Sequence, residues 1–89
     1  MNYSDLPLEV RIDQLTEEAA ELAAATSKLS RKLRKVNPTP KSLQECIDAV
    51  IEEYTDVVIA AESAGFEVDQ SIRERKIRRW NERITNEKD

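Results

Sequence analysis

The sequence contains no histidine and a single cysteine, Cys46. An intrachain disulfide is therefore excluded, as are zinc sites built on His and Cys and catalysis by Ser-His-Asp or Cys-His groupings. Glycine occurs once, at Gly65, and proline three times. An all-β fold needs turn residues every several positions, so this scarcity argues against one. Aromatics are only 4% of the 89 residues, and Ile, Leu and Val supply nearly all the large apolar side chains. No apolar run approaches the ~18 residues that a membrane span requires, so no membrane partner is expected. The opening MNYSDLPLEV lacks the basic-then-apolar pattern of a secretory signal, which makes the cytoplasm the default compartment. A net charge of −4 argues against a stable nucleic-acid partner.

What the chain does have is charge set in a regular apolar period. Charged residues reach 36%, yet the apolar positions recur too regularly for disorder. The spacing predicts an all-α fold in a single domain over 1–89, an antiparallel helical hairpin plus a third helix. The first helix is expected over about 7–36, with Ser4 or Asp5 as N-cap and Pro7 in the first turn. Its stripe is Leu8, Ile12, Leu15, Ala19, Leu22, Thr26, Leu29, Leu33 and Val36, a heptad pattern suited to a partner helix. The second helix is expected over about 40–64, with Thr39 as N-cap and Pro40 at its first position. Its stripe is Leu43, Ile47, Val50, Tyr54, Val57 or Val58, and Ala61, and Gly65 follows as a left-handed C-cap. Phe66 and Val68 are expected to fold back onto the hairpin end. Asp69 caps a third helix over about 69–84, with residues 85–89 fraying. Helices this long with so few aromatics bury little alone, so a dimeric or tetrameric bundle is expected.

Two acidic motifs stand out. The first helix carries Glu17-Glu18-Ala19-Ala20-Glu21 and the second Glu52-Glu53-Tyr54-Thr55-Asp56. Glu18 and Glu21, like Glu53 and Asp56, are three apart and share a helix face. In an antiparallel hairpin turning at Asn37, Glu18 comes level with Asp56 and Glu21 with Glu53. At roughly 100° per residue, both pairs flank their stripes in the same rotational sense, so all four carboxylates project from one face. Any one of them alone reads best as a solvated surface acid. A repelling quartet wants a hard divalent cation, and Mg²⁺, with its oxygen ligands, fits best. Two such ions could clamp the attacking water and leaving oxygen of a phosphoryl transfer, while a carboxylate orients or deprotonates the water.

Basic and polar groups lie where phosphates would need them. Gln14, Lys28 and Lys32 share the acidic side of the first helix. On the third, Lys76, Arg79 and Arg83 form a basic edge beside an apolar edge of Ile77, Trp80 and Ile84. Folded over the acid face, Lys76 and Arg79 would hold phosphate oxygens. The plainer alternatives are an exposed basic face paired with Glu74 and Glu82, and a core position for Trp80. Cys46, at the edge of the second stripe, reads as a small core residue.

The pattern Glu17-Glu18-x-x-Glu21 followed by Glu53-x-x-Asp56 resembles the all-α nucleotide pyrophosphohydrolases: MazG-like enzymes, dimeric dUTPases and phosphoribosyl-ATP pyrophosphohydrolases. The flanking Gln14-Leu15-Thr16 and Lys76-Ile77-Arg78-Arg79-Trp80 are similar to MazG-like sequences too, and the resemblance covers roughly residues 8–84. It implies a homo-oligomeric helix bundle that holds Mg²⁺, or Mn²⁺ in its place, through Glu18, Glu21, Glu53 and Asp56. These four are the expected catalytic and metal residues. The implied reaction splits a nucleoside triphosphate into a monophosphate and pyrophosphate, with Lys76 and Arg79 on the phosphates; Gln14 and Trp80 complete the candidate substrate-binding set. Val57-Val58-Ile59 stands where many phosphoribosyl-ATP enzymes carry a His, which makes that branch the weaker match. The alternative is a helical dimerisation module without chemistry. A third reading, nucleic-acid binding through the basic third helix, predicts only weak, salt-dependent association.

Overall fold

Local capping sets the helix limits. The computed structural model describes residues 1–36 and 40–88, and these are helical or in turns and connections, with no strand among them. Helix α1 (Leu8–Arg34) starts directly after Pro7. Asp5 is not its N-cap but closes a preceding 3₁₀ turn, Tyr3–Asp5, where its Oδ2 accepts from the Asn2 N–H at 2.8 Å. The chain leaves α1 through Lys35 in the left-handed region, φ 60°. There the Val36 N–H donates to the Arg31 carbonyl at 3.1 Å.

Helix α2 (Leu43–Ser63) opens later than the sequence suggests. Ser42 Oγ accepts from the Glu45 N–H at 3.1 Å and Glu45 Oε1 accepts from the Ser42 N–H at 3.0 Å. This reciprocal pair satisfies two otherwise unpaired donors, so Ser42 displaces the expected start at Pro40. The expected cap Thr39 lies outside the described residues. The other end agrees with expectation: Gly65 takes φ 86°, and the Phe66 N–H donates to the Ala61 carbonyl at 2.9 Å. Helix α3 (Gln70–Lys88) is capped by Asp69, whose Oδ1 accepts from the Ile72 N–H at 3.0 Å. It continues through residues 85–88, which were expected to fray.

Helices α1 and α2 pack along their length, whereas α3 has no comparable contact with either. The Cα radius of gyration is 16.7 Å, against about 12 Å for a compact chain of this size. Phe66 and Val68 do not fold back, being 52% and 69% exposed.

The α1–α2 seam also departs from expectation. Half-buried Arg11, Leu15, Glu18, Leu22, Ala25, Leu29 and Lys32 line it on α1. On α2 it runs through Cys46, Val50, Glu53, Val57 and Ala60. Relative to the predicted stripes, both helices are turned by roughly 60° toward their acids. Among the described residues only Cys46 and Ala60 are buried. These two small side chains sit where the helices come closest, and Leu15, Leu22 and Leu29 of the predicted stripe remain on the seam. Leu33, Leu43, Ile51 and Tyr54 are left exposed.

Candidate functional site

The rotation draws the acids inward. Glu18, Glu53 and Asp56 are half-buried, and each offers a carboxylate oxygen within 4.8 Å of the others. Glu18 Oε2 and Glu53 Oε2 are shielded from solvent and have no hydrogen-bond partner. Glu18 Oε1 is held by Gln14, whose Nε2 donates at 2.6 Å. Gln14 thus positions Glu18 and also lines the cleft beside it. Glu17 and Glu52 lie on the exposed surface.

Glu21 stands one turn further on, exposed, and is not part of the tight trio. Its carboxyl is pushed above the ordinary 4.5, first by the neighbouring charge of Glu18, then by loss of solvent and by Glu53. Like charges at this spacing disfavour one another's ionisation. Three converging carboxylates with two shielded, unpartnered oxygens form an all-oxygen donor set that fits a hard divalent cation. Glu18, Glu53 and Asp56 would hold it, with Glu21 adjacent.

Two clefts flank these carboxylates. A cleft of about 160 Å³ is lined by Tyr3, Gln14, Glu18, Asp56, Ile59 and Ala60. The other, about 240 Å³, is bounded by Glu21, Lys28, Lys41, Cys46 and Glu53 together with alanines of both helices. Sequence reasoning missed Tyr3, which lies outside any periodic stripe. It also missed Arg11, whose Nε donates to the Leu6 carbonyl at 2.9 Å and whose Nη1 donates to the Ser63 carbonyl. Arg11 thereby ties the N-terminal turn to the end of α2. Its signal was the seven-residue step from Arg11 to Glu18, which puts both on one face.

The third helix does not deliver its residues to this site within the chain. Lys76 and Trp80 line a separate cleft on α3, with Val68, Ile72 and Ile77. Arg79 is exposed on the same helix, and Trp80 is 60% exposed. No helix among the described residues is long and apolar enough to cross a membrane. In comparisons with known proteins, no family model, no curated protein and no solved structure matches the chain.

Proposed function

We propose that this protein is a Mg²⁺-dependent nucleoside triphosphate pyrophosphohydrolase that works as a homo-oligomer. The observation that carries the reading is the convergence of Glu18, Glu53 and Asp56 from two helices, with two carboxylate oxygens shielded and unpartnered. A purely structural hairpin gains nothing from half-burying three like charges, since each loses solvation and repels the others. The EExxE and ExxD pattern adds the reaction class by resemblance.

Hydrolysis adds water across the α–β anhydride: the water oxygen bonds to phosphorus, the bridging P–O bond breaks, and pyrophosphate leaves. A bound Mg²⁺ would supply charge neutralisation for the triphosphate. Glu21, adjacent to the trio and not part of it, is placed to accept the water's proton. Gln14 keeps Glu18 oriented. Lys76 and Arg79 would meet the phosphates from the α3 of a second copy. The unpartnered apolar edge of α3 and the exposed Ile51 and Tyr54 of the hairpin support such an assembly.

The test is release of pyrophosphate from a panel of ribo- and deoxyribonucleoside triphosphates, with Mg²⁺ and with EDTA. Metal-dependent turnover is expected, falling about 100-fold or more in Glu18→Gln and Asp56→Asn. Full turnover by these variants removes the site assignment. The exposed apolar surface also favours a second reading, an interaction module without chemistry. On that reading neutralising the acids raises the melting temperature equally with and without Mg²⁺, and no triphosphate is cleaved.

A further inference from the structure

The two clefts that flank the carboxylates differ in chemistry, and the difference gives the site a direction. The Tyr3 end combines an aromatic ring with Ile59 and Ala60. The opposite end carries Lys28 and Lys41 beyond Glu21 and Glu53. Each is smaller than the roughly 300–1,000 Å³ typical of a small-molecule site, so a nucleotide would have to span both. A triphosphate needs cations and hydrogen-bond donors, and a nucleobase needs a flat apolar surface with a few polar groups at its edge. Only one orientation satisfies both ends.

Resting on the pyrophosphohydrolase reading, we propose that Tyr3 is the platform on which the nucleobase stacks, with the terminal phosphates directed toward Lys28 and Lys41. The Tyr3 turn is fastened for this role from two sides. Asp5 closes it on Asn2, with the Asn2 N–H donating to Asp5 Oδ2 at 2.8 Å. Arg11 then anchors the following residue, Leu6, to the α2 terminus through the Leu6 and Ser63 carbonyls. The turn that carries this aromatic ring, in a chain with few of them, is thereby fixed beside the cleft that Glu18 and Asp56 also line. Tyr3 is a specificity residue on this argument, since it touches the base and none of the reacting atoms.

The experiment measures Mg²⁺-dependent binding of two probes by calorimetry: an α,β-methylene deoxyribonucleoside triphosphate and inorganic tripolyphosphate, which has no base. Tyr3→Ala should weaken the nucleotide analogue about tenfold and leave tripolyphosphate within twofold. Tyr3→Phe keeps the ring and should bind both as the native chain does. Lys28→Gln should weaken both probes. If Tyr3→Ala binds the analogue like the native chain, or weakens both probes alike, the base platform is overturned while a Mg²⁺-dependent, Glu18-sensitive tripolyphosphate site leaves the hydrolase reading standing. If the native chain binds neither probe in a Mg²⁺-dependent way, both fall together.

Discussion

The hairpin and α3 are built from similar material and end in different states. Both are long, heavily charged helices with clear caps. In the hairpin, Cys46 and Ala60 are small enough to let α1 and α2 close on each other, and they are the buried residues of the described chain. Helix α3 has an apolar edge of Ile77, Trp80 and Ile84, all exposed, and no small-residue seam to bring another helix near. The lesson is that an amphipathic edge alone does not bring helices together: the hairpin seam combines apolar Leu15, Leu22 and Leu29 with small Cys46 and Ala60, and α3 has no such combination. The same closeness squeezes Glu18, Glu53 and Asp56 together, so the packing and the candidate site share one cause.

Enlarging a seam residue should break this comparison most visibly. Ala60→Leu inserts three heavy atoms at a position 2% exposed, and overpacking of this kind costs about 1–3 kcal/mol. It should also spread the carboxylates and weaken Mg²⁺-induced stabilisation. Trp80→Ala, in dilute solution where copies are apart, should change stability by no more than about 0.5 kcal/mol. At high concentration it should abolish the concentration dependence of the melting temperature that an assembly confers. Denaturant titrations of both variants across a range of concentrations measure the contrast. A large loss for Trp80→Ala in dilute solution would mean that α3 is part of the hairpin's own core.

Much of this contrast is legible in the sequence. Ser42, Gly65 and Asp69 act through local hydrogen bonds or a single backbone angle, and a few neighbouring residues suffice to foresee such features. Gly65 and Asp69 are legible on that basis. Ser42 is masked in the sequence by Thr39-Pro40, which offers a similar start signal three residues earlier. The level of the acids followed from hairpin symmetry, and their common face followed from helical angle. The roughly 60° rotation did not, because a heptad marks which stripe wants cover and not how far its neighbours turn inward: Leu15, Leu22 and Leu29 stay on the seam, while Leu33 and Tyr54 are left outside. The separation of α3 was missed for the same reason: amphipathicity shows that a face wants cover but does not name the cover. Tyr3 lies outside any periodic stripe, and Arg11 acts through a contact far along the chain, reaching Ser63, so the seven-residue step to Glu18 gives its face but not its partner.

The hairpin's connection offers a smaller and cleaner test. Lys35 occupies the left-handed region at φ 60°, where a Cβ costs about 1 kcal/mol and glycine costs nothing sterically. The α2 end already uses glycine at its equivalent position, Gly65, at φ 86°. Lys35→Gly should therefore stabilise the hairpin by somewhat less than about 1 kcal/mol, the gain being offset by the greater freedom of glycine in the unfolded chain. Gly65→Ala should destabilise by a similar amount or more. Because the structure leaves open space around an added Cβ at Gly65, the backbone angle alone would account for that loss. Opposite signs in chemical denaturation would confirm that both ends of the hairpin close by the same device.

The smallest expected effect bears on the acids themselves. Glu21 is exposed, and its folded pKa lies above the ordinary 4.5 because Glu18 and Glu53 oppose its ionisation. A carboxyl raised in this way contributes stability below 4.5, where it is protonated in both states. That contribution is lost as pH rises through the folded value, when the native chain must accept a charge the unfolded chain carries more easily. In EDTA, the native chain should therefore lose stability relative to Glu21→Gln as pH climbs from 4.5 through that window, and the two curves should run parallel at higher pH. Glu45, held below 4.5 by its bonds to Ser42, contributes in the opposite direction in both chains and cancels from the difference. Adding Mg²⁺ near neutrality should shrink or reverse the gap, because a cation among the carboxylates turns repulsion into attraction. A gap indifferent to Mg²⁺ would mean that Glu21 feels its neighbours only as charges on a helix surface.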